Sequence, residues 1–268
     1  MSASSSPPSL TAVVITRNEA HQIAACVAAL RFASHVLVVD SGSEDGTGEA
    51  AAAAGAEVAV HPFTDYASQR NFGLARAQTE WLLMIDADER VSPVLAAEIL
   101  DAIERAKAQP EVAAFRLLRR NHFMGRPLTR SSSGNERLVR LMRRAQAKYV
   151  NAVHETPIVE GEIRDLAAPM EHLTNVRLRD AFDKSRRYAI LWANDMHGRG
   201  KTTSLAGIAG HTVHRWLKVY LIKRGFLEGT RGFILAGFES VGVFFKYSLL
   251  WEQERRDTNR GNKPDVPV

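Results

Sequence analysis

Two aspartates spaced i and i+2, Asp86 and Asp88, follow the apolar run in the stretch Trp81-Leu82-Leu83-Met84-Ile85-Asp86-Ala87-Asp88-Glu89-Arg90. Carboxylate oxygens are the ligands hard divalent cations prefer, and Mg²⁺ typically takes one or two of them together with phosphate oxygens and water. The five apolar residues before Asp86 read as a buried strand. In an open α/β sheet, ligands bind beyond the carboxyl ends of the strands. Asp86 and Asp88 are therefore expected at the mouth of a site, on a metal-bound diphosphate. By itself the spacing also suits an ordinary turn whose aspartates cap their own backbone, so the choice rests on what else the chain brings to the same edge.

The hydrophobic pattern supplies the elements that must position these residues. Ala12-Val13-Val14-Ile15 is a β-branched run, followed by polar Thr16-Arg17-Asn18-Glu19 and by Ile23, Cys26, Val27 and Leu30 at helical spacing. His35-Val36-Leu37-Val38-Val39-Asp40 repeats the strand, Ser41-Gly42-Ser43-Glu44-Asp45-Gly46-Thr47 makes a turn, and an Ala-rich helix runs to Gly55. Glu57-Val58-Ala59-Val60 is a third strand, and a helix carrying Tyr66, Gln69, Arg70, Asn71 and Gly73 precedes the Trp81 strand. Strands alternating with helices predict a doubly wound, mostly parallel sheet flanked by helices. Asp40 ends the second strand as Asp86 ends the fourth, so the two should converge on one cleft. The chain has no G-x-G-x-x-G and no Walker lysine loop, against a dinucleotide dehydrogenase and a P-loop NTPase. Ser92-Pro93 opens a further helix with Leu95, Ile99, Ile103 and Ala106 on one face, residues 112–118 read as a strand, and residues 119–126 as a basic loop.

Four blocks, Thr16-Arg17-Asn18-Glu19, residues 38–47, Gln69-Arg70-Asn71 with Gly73, and Asp86-Ala87-Asp88-Glu89, stand in this order in the chain. Together they resemble the nucleotide-sugar half of family 2 inverting glycosyltransferases of the GT-A fold. The resemblance implies that Thr16, Arg17, Asn18, Glu19, Asp40, Ser41 and Asp45 face the nucleoside, that Arg70 meets a phosphate, and that Asp86 and Ala87 border the nucleotide-sugar. It further implies a divalent metal, Mn²⁺ or Mg²⁺, held by Asp86 and most directly Asp88. For Asp45 a turn cap before the helix at Thr47 is a second reading of the same residue.

Inversion at an anomeric carbon needs a general base to take the proton of the attacking hydroxyl. In the resembled group a strand with the flavour of Arg137-Leu138-Val139-Arg140 is followed by an acidic residue beside the acceptor, which points to Glu155. This chain presents His154-Glu155 in place of the commoner Glu-Asp pair, so His154 stands as the second candidate for base or orienter. His172 follows the last strand expected in the domain. Many GT-A enzymes supply a late histidine to the metal or diphosphate, and imidazole suits Mn²⁺ better than Mg²⁺; a capping or core histidine is the alternative.

The balance of the chain is basic: formal net charge +5, sequence pI about 9.5, with 45% hydrophobic and 24% charged residues. That suits an anionic partner. A single cysteine, Cys26, excludes an internal disulfide and fits a reducing compartment. The first nine residues read as a loose tail without an export signal, and no uncharged run reaches the roughly 18 residues of a spanning helix. From Leu178 the pattern turns helical. Between Arg199 and Arg231 stand seven Lys or Arg against one Glu, interleaved with Trp216, Tyr220 and Phe226. Residues 232–251 are strongly apolar, interrupted by Glu239 and Lys246. A basic, aromatic-rich amphipathic region of this kind lies on an anionic membrane surface, and a helical pair packed on the catalytic domain is a compatible alternative.

Residues 184–188 and 225–229 also resemble the ends of bacterial glycosyltransferases that extend the lipopolysaccharide core. The expected organisation is a tail to residue 9, a glycosyltransferase domain over 10–176, a helical membrane-associating or acceptor region over 177–256, and a frayed tail from 257. The resemblance implies transfer of a hexose, glucose first, from a UDP-sugar to a lipid-linked glycan acceptor such as inner-core heptose of the lipopolysaccharide core. It places the enzyme peripherally on the inner face of the cytoplasmic membrane. Alternatives are transfer to another polyprenyl- or lipid-linked glycan and a non-catalytic nucleotide-sugar-binding scaffold. A nucleic-acid-binding protein would use the basic stretch for phosphates, but no recognition motif accompanies it.

Overall fold

The computed structural model describes residues 9–131, 135–150, 156–173 and 178–261. The chain divides into two compact units: Met1–Arg120 with Glu136–Leu173, and Asn121–Asn135 with Thr174–Val268.

The first unit begins β1 (Leu10–Thr16), α1 (Ile23–Ala29), β2 (His35–Asp40), α2 (Thr47–Ala53), β3 (Glu57–Val60), α3 (Tyr66–Arg76) and β4 (Trp81–Asp86). There follow β5 (Glu89–Arg90), α4 (Pro93–Ala106), β6 (Val112–Phe123), β7 (Arg126–Pro127), β8 (Asn135–Arg143), β9 (Ala147–Val150), β10 (Thr156–Val159) and β11 (Glu162–His172). Among the described residues the main sheet has the order β3-β2-β1-β4-β8-β6-β11-β5, with β7 beside β6; β9 and β10 form a separate antiparallel pair. The first four strands are parallel neighbours, and β8 runs antiparallel to β4. This is the doubly wound, parallel-dominant sheet that the alternating pattern predicts.

Strand β1 is buried along its whole length, and its centre, Ala12–Ile15, is apolar because it is buried on both faces. Ala12 and Val14 belong to a core with Ile23, Leu83, Ile85, Leu95 and Ile99, whereas Val13 and Ile15 belong to one with Val39, Leu74, Leu82 and Met84. The two sets alternate because successive side chains point to opposite faces of a strand. Helix α3 rests close on β1 at Gly73, where a Cβ would fall within the Val13 side chain. Helix α4 starts as its sequence directs, with Ser92 Oγ accepting from Leu95 N at 3.2 Å and Pro93 in the first turn.

The structure departs from the sequence expectation at residues 119–126. Instead of a basic loop, β6 continues to Phe123, turns at Met124 and Gly125 with φ of 52° and 71°, and returns through β7 in the pairing Phe123↔Arg126. Positive φ at both turn residues matches the twist of a two-residue hairpin. Polar residues along the strand hid its length. The first domain expected over 10–176 therefore carries an insert, Asn121–Asn135, that folds with the second unit, where Phe123 and Leu128 pack with Val219, Leu235 and Ala236.

That second unit is built on α5 (Leu178–Gly198), α6 (Leu205–Leu217) and α7 (Thr230–Gly261), with a π-helical turn at Lys218–Ile222 and a 3₁₀ turn at Gly225–Glu228 between the last two. Residues from Asp257, expected to fray, are helical as far as Gly261. Counting only uncharged runs missed that Thr230–Arg256 is long and apolar enough to cross a membrane, with 22% of its most apolar window buried. Glu239, one of the charges interrupting it, is paired with Arg215 of α6.

Candidate functional site

Parallel pairing sets the site. The register Thr16↔Asp40 and Ile15↔Asp86 brings the ends of β1, β2 and β4 to the same edge of the sheet. The loops leaving β1 and β2 are laced together there. Asn18, at φ 55°, donates its backbone N–H to Ser43 Oγ at 2.8 Å and accepts from Glu44 N on Oδ1 at 2.9 Å. An asparagine tolerates this left-handed conformation better than most residues. Glu19 N donates to Thr47 Oγ1 at 2.8 Å and Ala20 N to Asp45 Oδ2 at 3.1 Å.

Asp40 is buried and accepts from Ser43 N at 2.9 Å and Ser43 Oγ at 2.7 Å, fixing the turn that begins at Ser41. Ser41 N donates to Thr16 O at 3.0 Å, so the two loops leave the sheet in step. Asp45 caps the start of α2, accepting from Thr47 N at 3.1 Å and from the Thr47 hydroxyl. The Thr47 hydroxyl and the backbone N–H groups hold its carboxyl below the ordinary aspartate range. Arg17 is exposed on the same loop, and Thr16 Oγ1 is buried with no hydrogen-bond partner.

Beneath the end of β4 lies a buried charge network. Asp86 accepts from Arg70 Nη2 on Oδ1 at 2.8 Å and from Arg140 Nη2 on Oδ2 at 2.8 Å. Arg140 also donates to Glu89 Oε1 at 2.7 Å, and the other Glu89 oxygen accepts from Asp86 N at 2.9 Å. Burial alone would raise the Asp86 pKa, but Arg140 and Arg70 outweigh it and hold the carboxyl well below the usual range. Glu89 is fully buried, and for it desolvation prevails over Arg140, leaving its pKa raised. Cys26 Sγ lies 3.9 Å from Asp86 O; burial pushes its pKa up to about 12, which leaves an inert thiol.

The turn after Asp86 is tied down separately. Arg90 Nη1 donates to Ala87 O at 2.7 Å and its Nη2 to Gln22 O at 3.0 Å. Strand β11 pairs antiparallel with β5 in the register His172↔Glu89, and Leu173 N donates to Asp88 O at 2.8 Å. His172 Nε2 thereby comes within 3.1 Å of Asp88 Oδ2. Among the described residues no group of three or more His, Cys, Asp or Glu side chains forms a metal cage. Asp88 and His172 form a two-donor pair, one oxygen and one nitrogen, that suits a cation drawing its remaining ligands from phosphate and water. Asp86, expected beside Asp88 as a ligand, has both oxygens engaged by arginines.

The sequence grouped Asp40, Arg70, Asp86, Asp88 and His172, and the fold brings them to one sheet edge. The role of Arg140 and Glu89 went unread, although both stand in the quoted motifs. Asn71 is a further positioning group: its Nδ2 donates to Tyr149 O and its Oδ1 accepts from Tyr149 N, both at 2.9 Å, holding β9 against α3. Arg70 lies over the Tyr149 ring, 5.5 Å from its centroid. His154 and Glu155 lie outside the described residues.

A family model described as Glycosyl transferase family 2 matches residues 11–156, more than half of the chain. The lipopolysaccharide core biosynthesis glycosyltransferase LpsC of Rhizobium meliloti is 26% identical over 255 residues, covering 90% of this chain and 93% of that protein. An uncharacterised glycosyltransferase of Rickettsia typhi is 26% identical over 261 residues, covering 93% and 89%. Among solved structures, mannosyl-3-phosphoglycerate synthase from Rubrobacter xylanophilus is similar with a TM-score of 0.44 at 19% identity, over 74% of this chain and 77% of that one.

Proposed function

This chain belongs to glycosyl transferase family 2, and we propose that it is an inverting enzyme moving a hexose, glucose as first candidate, from a UDP-sugar to a lipid-linked glycan. The observation that carries this reading is the Asp88–His172 pair, set at the carboxyl edge of the sheet above a carboxylate braced by two arginines. The similarity to LpsC over most of both chains supports lipopolysaccharide core as the acceptor class; within that class, inner-core heptose is the first candidate for the accepting residue.

In this reading Thr16 to Glu19, Asp40, Ser41 and Asp45 receive the nucleoside. Their loops are cross-linked by hydrogen bonds, so the donor meets a preformed surface. Asp86 and Arg70 serve the donor site from below, fixing the turn that carries Ala87 and Asp88. A divalent cation, Mn²⁺ or Mg²⁺, would be held by Asp88 and His172, and it would supply Lewis-acid neutralisation of the departing diphosphate. Glu155 takes the proton from the acceptor hydroxyl as that oxygen attacks the anomeric carbon from the face opposite the diphosphate. His154 is the second candidate for this role. No covalent enzyme intermediate is needed for a single inverting displacement.

In the same reading the helical unit is the part that meets a membrane, with the enzyme peripheral on its cytoplasmic face. Support comes from the excess of Lys and Arg over residues 199–231 and from the exposed apolar side chains of Leu217, Leu221 and Ile222.

The test is a thermal-shift and calorimetric panel of nucleoside diphosphates and UDP-sugars with and without Mn²⁺, because a ligand that binds the folded state raises apparent stability by mass action. The reading requires a shift for UDP and for one UDP-hexose that disappears on chelation. No shift with any nucleotide, from folded protein, would refute it.

A further inference from the structure

Helix α6 is amphipathic the wrong way round for a helix packed in a core. Of its residues Leu205 to Leu217 only Ile208 is buried, while Leu205 and Val213 are 67% and 58% exposed. Across from them α7 presents Phe244 and Phe245, 46% and 44% exposed. The two helices enclose an open groove of about 580 Å³ whose walls include Ile208, Ala209, Val213, Phe244, Leu249 and Trp251. That volume lies within the range of small-molecule sites, roughly 300–1,000 Å³. Thr212, also in the wall, donates its hydroxyl proton to Ile208 O at 2.7 Å, so the lining offers hydrocarbon with little competing polarity.

The surroundings select the occupant. Helix α7 is long and apolar enough to cross a membrane, yet most of that stretch is unburied. At the C-terminal end of the groove the Arg255 guanidinium lies 4.7 Å from the centroid of the Trp251 ring, and Arg256 pairs with Glu252 in the groove wall. An aromatic capped by arginine at the end of an apolar run is the arrangement of residues at a bilayer interface, where the ring sits at headgroup level and the cation reaches the anionic lipid. We propose that the α6–α7 groove holds one acyl chain of an anionic phospholipid, with its headgroup at the Trp251–Arg255 end. The inference rests on the reading that the helical unit meets a bilayer, and it adds a discrete lipid site to that surface contact.

The probe is dibromostearate added to the full-length protein without vesicles, because bromine quenches tryptophan only near contact. Saturable quenching is expected in the wild type, and its loss in Trp251→Phe identifies the groove tryptophan. Phosphatidylglycerol should displace the probe better than phosphatidylcholine does. Ala209→Phe, which fills the groove, should weaken binding at least about tenfold. Val213→Glu should do the same from a position exposed enough to leave the fold intact. Quenching that does not saturate, or that survives both substitutions, overturns the proposal. So does a concentration-dependent dimer that Val213→Glu converts to monomer, since a second copy would then fill the groove. Vesicle co-sedimentation and the Mn²⁺–UDP thermal shift, measured on the same variants, separate failure of the groove from failure of the surface or donor readings.

Discussion

Replacing Arg140 by methionine, similar in length and uncharged, isolates what the network under β4 contributes. The Arg140 side chain is 6% exposed and donates to both Asp86 and Glu89, so its loss leaves Asp86 with Arg70 and Glu89 with the more distant Arg119, 3.9 Å away. Removing one partner of a buried ion pair costs about 3–5 kcal/mol, which for a chain of this size lowers the melting temperature by roughly 6–20 °C. Asp86 is held low by its arginines in the wild type, so its contribution is present above its unfolded pKa of about 3.9 and is lost as pH falls through the folded value. Glu89 has the opposite sign. Its raised folded pKa gives stability present below about pH 4.3 and lost as pH rises through the folded value. Without Arg140 both carboxyl pKa values must rise, so the deficit of Arg140→Met relative to wild type should widen from pH 5 to pH 8. Calorimetric melts at several pH values in chelator measure it. A melting temperature within about 2 °C of wild type at pH 7, or a deficit that does not change with pH, would refute this account of the network.

Asp88→Ala should abolish Mn²⁺-dependent UDP binding while leaving the melt of the apo protein nearly unchanged, and unaltered calorimetric affinity would remove Asp88 from the metal site. Glu155→Gln should keep donor affinity and lose about 10²–10⁴-fold in kcat, the usual contribution of general-base catalysis; near-normal turnover would transfer the role to His154 or elsewhere. Gly73→Ala should destabilise by about 1–3 kcal/mol despite alanine's better helix propensity, because the methyl group must displace Val13 in a packed core. A melting temperature at or above wild type would show that α3 lifts off β1 without cost.

Much of the catalytic half was legible because its strands are buried on both faces and its polar residues are concentrated at one end. Runs such as residues 12–15 and 81–85 announce themselves as parallel strands, and the carboxylates that interrupt the pattern at Asp40 and Asp86 mark where each strand stops. The Ser92-Pro93 start of α4 was equally plain, since a cap and a fixed φ act within one turn. The hairpin at Met124-Gly125 was not. Residues 119–122 are charged or polar, and only pairing with β7 and packing of Phe123 against the helical unit make that stretch a strand end. Helix α7 was legible only in part for a related reason: a charge count along the chain treats Glu239 as a break, whereas on the folded helix it meets Arg215.

The sequence by itself determined the family, the strand-and-helix alternation, and which carboxylates gather at one edge, because each is written in local composition or in short motifs. Only the tertiary structure decided what each of those carboxylates meets. Asp86 and Asp88 are two residues apart and chemically identical, and nothing between them tells which is engaged by arginines and which is met by a histidine. The difference comes from strands distant in sequence: β8 brings Arg140 onto Asp86, and β11 brings His172 onto Asp88. A carboxylate's role is set by the charges that surround it, and those charges arrive by long-range pairing.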